Sequence, residues 1–205
     1  TALAVTLVQP NVPQDEITDE TKFEEQFQTL TRLSARQEGD FAPRLVLWPE
    51  SGVPDYLEPG YPPVYYHRTT YRADPDEARA RIADVIGPGS TLLTGAVDLE
   101  FRGRRAVAAR NSVTALSDRG DIIASYDKAH LVPGGEYLPL RWLLEPLGAS
   151  RLVAGTLDFW PGPGARTLNL GKGWPRPGVQ LCYEIIFSGQ TVERGKRPDF
   201  IFNPT

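Results

Sequence analysis

Three polar residues stand where apolar runs end, and together they could move an acyl group. Cys182, the single cysteine of the chain, follows GVQL at 178–181; Glu50 follows RLVLW at 44–48; Lys128 follows IIASY at 122–126. Neighbouring strands of an α/β sheet converge at their ends on a cleft where ligands sit. A carboxylate, an ammonium and a thiol gathered there have complementary work: the carboxylate takes the thiol proton, the thiolate attacks a carbonyl carbon, and the ammonium stabilises the oxyanion. Each has a blander use taken singly. A free cysteine commonly serves as a small buried apolar side chain, Glu50 suits a turn that starts a helix, and Lys128 suits a solvated surface. Tyr183 and Glu184 shift the balance at Cys182, because a core would have to satisfy both with hydrogen bonds. A helix starting just after Cys182 would favour thiolate over thiol. His130 is the other candidate base for the sulfur, in a cysteine–histidine dyad.

The elements that must position these groups follow from pattern and punctuation. ALAVTLVQ at 2–9 reads as a first strand ended by Pro10. A helix begins at Thr21, with Thr21 and Glu24 at capping-box spacing, Phe23, Phe27, Leu30 and Leu33 on one face, and Gly39 closing it. RLVLW at 44–48 is the second strand, and the nucleophile strand spans 178–183. Asp74 as N-cap, Pro75 in the first turn and Gly87 at the end bracket a further helix, with Ala78, Ile82 and Val85 facing inward. Strands are expected at 91–97, 106–116 and 122–126, with a turn at 118–121 and a hairpin tip carrying Arg102, Gly103, Arg104 and Arg105. Those arginines either face water or touch lipid phosphates. The Pro- and Tyr-rich stretch 54–72 is either a lid or a satellite cluster packed on the second helix. Around 140–147 a short helix presents Trp142, Leu143 and Leu144, which pack under the loop or meet an apolar partner or bilayer surface.

Composition narrows the classes. At 205 residues, with 40% hydrophobic and 23% charged side chains, the chain is one ordinary domain. A net charge of -4 argues against nucleic acid as its main partner. One cysteine excludes an internal disulfide. No apolar run approaches the roughly 18 residues that a membrane span needs, and no signal peptide opens the chain. A strand-like start, the lack of methionine and an end directly behind a strand are the features of a piece excised from a longer protein.

WPES at 48–51, YDKAHLVPGGEYLP at 126–139 and LCYEIIF at 181–187 resemble the Glu, Lys and Cys motifs of the nitrilase (carbon–nitrogen hydrolase) superfamily. More narrowly they resemble the extracytoplasmic domain of bacterial apolipoprotein N-acyltransferases, and LVQPN at 7–11 and TGAV at 94–97 fit the same family. The resemblance implies an α/β fold, an α-β-β-α sandwich of two packed sheets with helices outside, truncated at the C-terminus. It makes 1–205 a single catalytic domain, with a membrane domain expected upstream and further strands downstream. In it Glu50 is the general base, Lys128 the oxyanion-stabilising cation and Cys182 the nucleophile that becomes an acyl thioester. Glu136 matches a second glutamate that orients the lysine, and Tyr183 and Glu184 match positions needed beside the nucleophile. The implied donor is a phospholipid of the phosphatidylethanolamine type, and the acceptor is the N-terminal amine of a diacylglyceryl-cysteine apolipoprotein. The setting is the periplasmic face of the bacterial inner membrane, with no cofactor and no metal. Gly134 departs from the pattern, since many relatives have Phe there. A soluble nitrilase-type amidase acting on small amides is the alternative enzyme, and a nitrilase-like binding module the non-catalytic one.

Overall fold

The run RLVLW lacks polar alternation because the strand it forms is covered on both faces. In the computed structural model, which describes residues 3–36, 39, 42–137, 157–187, 189–190 and 192–205, that strand is β2 (Arg44–Leu47). It lies between β1 (Ala4–Leu7) and β3 (Thr91–Arg102), parallel to both. β3 turns into β4 (Arg105–Ser117), which turns into β5 (Ile122–Asp127), both pairings antiparallel. The result is a five-stranded sheet in the order β1-β2-β3-β4-β5.

Helices α1 (Phe23–Leu33) and α3 (Pro75–Ile86) cover one face, and between them runs the single turn α2 (Tyr66–Thr69). On that side Val46, Trp48, Leu92 and Leu116 pack against Phe27, Leu30, Ile82 and Ile86. The opposite face of the same strands, Leu45, Leu47, Leu93, Val113 and Ala115, packs on a second, parallel sheet of β6 (Pro177–Val179) and β7 (Phe200–Phe202) through Val179, Leu181 and Phe202. The described residues therefore show helices, sheet and second sheet in layers. Along β1, Leu3, Val5 and Leu7 remain exposed, although Val5 and Leu7 register with the buried Leu45 and Leu47.

The punctuation of α3 is as its sequence predicts. Asp74 accepts from the N–H groups of Asp76 and Glu77, Pro75 takes the first position and Gly87 closes the helix at φ 80°. The start of α1 is different. Asp19, rather than Thr21, is the cap, accepting from the Thr21 N–H at 2.9 Å, and a short 3-10 turn precedes the helix. Its end comes at Leu33, well before Gly39. Ser34 stops it there because its carbonyl takes the Arg44 guanidinium at 2.5 Å and its hydroxyl takes the Trp48 indole N–H at 2.9 Å, two tertiary bonds that local pattern does not announce.

The 54–72 stretch is a packed cluster. Asp55 is fully buried, accepting from the Tyr71 N–H at 2.6 Å and facing Arg81 of α3 at 3.5 Å. Tyr61 packs tilted, and Tyr65 edge-on, against Phe101 on the outer half of the β3–β4 hairpin. The helix expected at 140–147, with Trp142, Leu143 and Leu144, lies outside the described residues. Among the described residues no helix is long and apolar enough to cross a membrane.

Candidate active site

Glu50 owes its position to a close approach of two backbones. The turn after β2 is tied to β3 by the Trp48 N–H on Leu93 O at 2.9 Å and the Gly95 N–H on Pro49 O at 3.0 Å. A Cβ on Gly95 would fall inside the Glu50 carbonyl group, so only glycine lets the turn lie on the strand. Gly95→Ala is accordingly expected to cost about 1–3 kcal/mol as overpacking and to move the Glu50 carboxylate off its partners. Thermal denaturation reads the first effect. The pH dependence of Cys182 alkylation, expected to move to lower pH as the carboxylate leaves, reads the second.

Lys128 begins the loop after β5, where its N–H is held by Asn111 O at 2.8 Å and its carbonyl by the Gly162 N–H at 2.8 Å. Its side chain is 2% exposed and its ammonium lies between two carboxylates, 3.3 Å from Glu50 Oε1 and 3.1 Å from Glu136 Oε1. Burial alone would pull its pKa down, but Glu50 and Glu136 together outweigh that and hold it above the usual lysine value. The charge is thereby fixed. Glu136 is steadied from its other oxygen, which accepts the Val132 N–H at 2.8 Å.

Asn111, in the middle of β4, completes this group. Its amide nitrogen donates to Glu50 Oε1 at 2.9 Å and to Glu136 Oε1 at 2.8 Å. One primary amide and one ammonium thus bridge the same two carboxylates, which fixes both in place.

Cys182 reaches the group by a different route from a plain strand end. The strand expected over 178–183 ends at Val179, and a 3-10 turn spans Cys182–Ile186. Cys182 itself is left-handed, at φ 51°, a conformation that costs a side-chain-bearing residue on the order of 1–3 kcal/mol and persists only where neighbours enforce it. The enforcers are visible: Pro204 O accepts the Cys182 N–H at 2.9 Å, and the Asn203 amide donates to Cys182 O at 3.0 Å and Gln180 O at 2.8 Å. The thiol is half-buried, and Glu50 and Lys128 both lie close enough for their charges to act on it. Its pKa is pushed up, by burial first and by the Glu50 charge second, against the opposing pull of Lys128 and the Tyr183 N–H. This reverses the expectation of a thiolate favoured by a helix start. A single 3-10 turn brings one N–H to the sulfur, which is too little against a buried carboxylate.

Glu184 is the stitch between the cysteine turn and the lysine loop. Its buried carboxylate accepts from the Leu181 N–H at 2.7 Å within its own turn, and from Ala129 N–H at 2.8 Å, His130 N–H at 2.9 Å and the Tyr126 hydroxyl at 3.0 Å across the cleft. Burial, then the Glu184 charge, raises the Tyr126 pKa, so the phenol stays a donor. Tyr183 points the other way along the loop, its hydroxyl on Leu131 O at 2.9 Å and its ring 6.0 Å from the Lys128 ammonium. His130 is committed elsewhere: its ring stacks on Phe187 at 4.3 Å and shares a 3.0 Å bond with Gln190. The geometry thus gathers Glu50, Lys128, Cys182 and Glu136, sets Tyr183 and Glu184 as their supports, and leaves His130 outside.

Two residues of this constellation escape a reading of the sequence. Asn111 carried a usable signal, being the one amide in the inward row Ala109, Asn111, Val113, Ala115. Asn203 carried none, since its partners lie more than twenty residues away. Among the described residues no group of His, Cys, Asp and Glu is arranged to hold a metal.

A carbon-nitrogen hydrolase family model matches residues 4–203. The chain is 34% identical over 207 residues to an apolipoprotein N-acyltransferase of Bradyrhizobium diazoefficiens, covering 97% of this chain and 35% of that protein. It is 32% identical to the protein of the same name from Rhizobium meliloti, covering 99% of this chain and 36% of that one. The chain therefore spans about a third of the length of these curated relatives. Among solved structures it is similar to an amidase from Nesterenkonia sp. AN1, in the form carrying acrylamide added at that protein's active-site cysteine. That likeness has 19% identity, a TM-score of 0.53, and covers 100% of this chain and 67% of the amidase, a likeness of fold.

Proposed function

The chain belongs to the carbon–nitrogen hydrolase family, and from that premise we propose that residues 1–205 form the catalytic unit of an apolipoprotein N-acyltransferase. The donor is a phospholipid of the phosphatidylethanolamine type, and the acceptor is the N-terminal amine of a diacylglyceryl-cysteine lipoprotein. The work is done at the periplasmic face of a bacterial inner membrane.

In this reading Cys182 is the nucleophile, Glu50 the general base and Lys128 the oxyanion partner. As the sulfur attacks the ester carbonyl carbon, Glu50 receives the thiol proton. The oxyanion that forms faces the Lys128 ammonium. The C–O bond breaks, and the lysophospholipid oxygen leaves with the proton that Glu50 holds, giving a Cys182 thioester. The acceptor amine then attacks the thioester carbon and gives a proton to Glu50. The C–S bond breaks, and the proton returns to sulfur. Glu136 and Asn111 act as positioning residues that keep Lys128 and Glu50 in register, while Glu184 and Tyr183 keep the cysteine turn against the lysine loop. Because the resting thiol is held protonated, its attack on an ester is coupled to proton transfer to Glu50, which limits idle side reactions.

The observation that carries the reading is a buried Lys128 ammonium paired with Glu50 at 3.3 Å, both acting electrostatically on the Cys182 thiol, in a chain whose relatives at about one-third identity bear the acyltransferase name. The test supplies the protein with phosphatidylethanolamine carrying a deuterated acyl chain. Mass spectrometry is expected to find the labelled acyl group on the Cys182 peptide, discharged by an amine acceptor and absent in Cys182→Ala. A folded preparation that stays unlabelled, or one that releases ammonia from small amides without lipid, replaces this reading with the amidase one.

A further inference from the structure

The β3–β4 hairpin runs on past the active site, and its tip has features that the chemistry at Cys182 does not use. Arg102 and Arg105 are directly opposed across the ladder, joined by the turn Gly103–Arg104. Like charges facing each other on paired strands are destabilising. All three guanidinium side chains are exposed, and among the described residues none makes an ion pair. The nearest acid along the strand, Glu100, is engaged by Arg110 instead. A concentrated positive tip on a chain of net charge -4 is an arrangement that an anionic partner would relieve.

What sits beside the arginines is apolar and rigid. Val64 is 67% exposed, and a groove of about 430 Å³ lies between the hairpin and the 60–63 segment, lined by Tyr61, Pro62, Pro63, Phe101 and Arg104. The segment is pinned where the hairpin bulges: the Tyr61 hydroxyl accepts the Leu99 N–H at 3.0 Å and the Tyr65 hydroxyl accepts the Ala106 N–H at 2.8 Å. Along β3 the tip lies five residues beyond Val97, the partner of Asn111, about 17 Å at the rise of a strand. That is close to the thickness of one leaflet, roughly half of a 40–45 Å bilayer.

We infer that the hairpin tip is a docking surface for an anionic phospholipid bilayer, with Arg102, Arg104 and Arg105 on the phosphates and Val64, Pro62 and the aromatic groove at the headgroup level. Guanidinium groups bind phosphate through a planar fork, and aromatic and apolar side chains beside basic ones suit the membrane interface. The exposed Val64 favours a bilayer over a nucleic acid, which would gain nothing from it. The inference extends the phospholipid-donor reading, but it is read as binding rather than turnover, so the two fail separately.

The experiment is cosedimentation of the chain with vesicles of phosphatidylcholine alone, or with about one-third phosphatidylglycerol added. Binding is expected only to the anionic vesicles, and to be largely lost near 1 M salt, where the Debye length is about 3 Å. Each arginine near such a surface is worth about fivefold in binding, so R102Q/R104Q/R105Q is expected to lose about 100-fold while keeping its circular dichroism spectrum and acylation of Cys182 by detergent-dispersed lipid. Val64→Asp is expected to weaken binding to the anionic vesicles several-fold at low salt. Unchanged binding by the triple variant, equal binding to neutral vesicles, or tighter binding to an oligonucleotide than to anionic vesicles would overturn the inference.

Discussion

Glu50→Gln is expected to lower acyl transfer by about 10²- to 10⁴-fold at neutral pH, the usual contribution of a positioned base, while making Cys182 react faster with iodoacetamide. The opposite signs follow from the two things the carboxylate does. At rest, burial first and the Glu50 charge second push the Cys182 thiol up. Glutamine keeps an oxygen to accept from Asn111 and Lys128, whose bonds to Glu50 Oε1 are 2.9 and 3.3 Å, but it removes the negative charge. The thiol pKa then falls toward what burial and Lys128 alone allow, and more of the sulfur is thiolate at pH 7. A ready thiolate serves a soft alkylating agent. It does not serve a reaction in which the leaving oxygen must be handed a proton, because the group that took the thiol proton is gone. The variant's residual turnover should rise about tenfold per pH unit until the lowered thiol pKa is passed, whereas the native protein carries its own base and lacks that slope over the same range. Parallel pH profiles of alkylation and acyl transfer, on protein whose melting temperature matches the native, decide it. If both rates fall together, the carboxylate does not control the thiol at rest.

The layers of the fold could be read from sequence wherever a single segment carries its own pattern. The run RLVLW foretold a strand, and the Asp74, Pro75 and Gly87 punctuation of α3 fixed both its ends. The failures share one physical origin. Thr21 reads as the cap, but Asp19 caps a 3-10 turn that precedes α1; Ser34 ended α1 early because Arg44 and Trp48, from another segment, claimed its oxygens. The same holds in the site. Glu50, Lys128 and Cys182 were visible as polar residues at the ends of apolar runs. What makes them a unit is Asn111 bridging two carboxylates, Gly95 yielding space to the Glu50 backbone, and Asn203 and Pro204 holding Cys182 left-handed. Each of those is a bond or contact between distant segments, with no periodicity to betray it. The direction of the Cys182 shift was misjudged for the same reason, since the deciding charge belongs to a residue far away in the chain.

Lys128→Met is expected to be the most damaging change to stability and to catalysis at once. The ammonium is almost fully buried between Glu50 and Glu136, themselves largely covered. Removing it leaves two carboxylates sharing one Asn111 amide with no cation between them, and breaking a buried ionic group by deleting one member costs about 3–5 kcal/mol. Acyl transfer should fall by at least about 10²- to 10³-fold, the effect of losing one oxyanion donor. The pH dependence separates this from a plain packing loss. In the native protein the Lys128 pKa lies above its usual value, so its contribution is complete below about pH 10.4, the unfolded value, and fades only as pH rises through the folded one. Between pH 7 and pH 5 that contribution is flat. In the variant the facing carboxylates repel, and one of them gains by taking up a proton as pH falls. The melting-temperature gap between native and variant should therefore narrow on acidification. Lys128→Met combined with Glu136→Gln removes one of the repelling charges and should recover much of the stability at pH 7 with none of the activity. A gap independent of pH, together with no rescue by the second change, would mean that Lys128 is held by packing and that the charges of Glu50 and Glu136 are balanced by solvent.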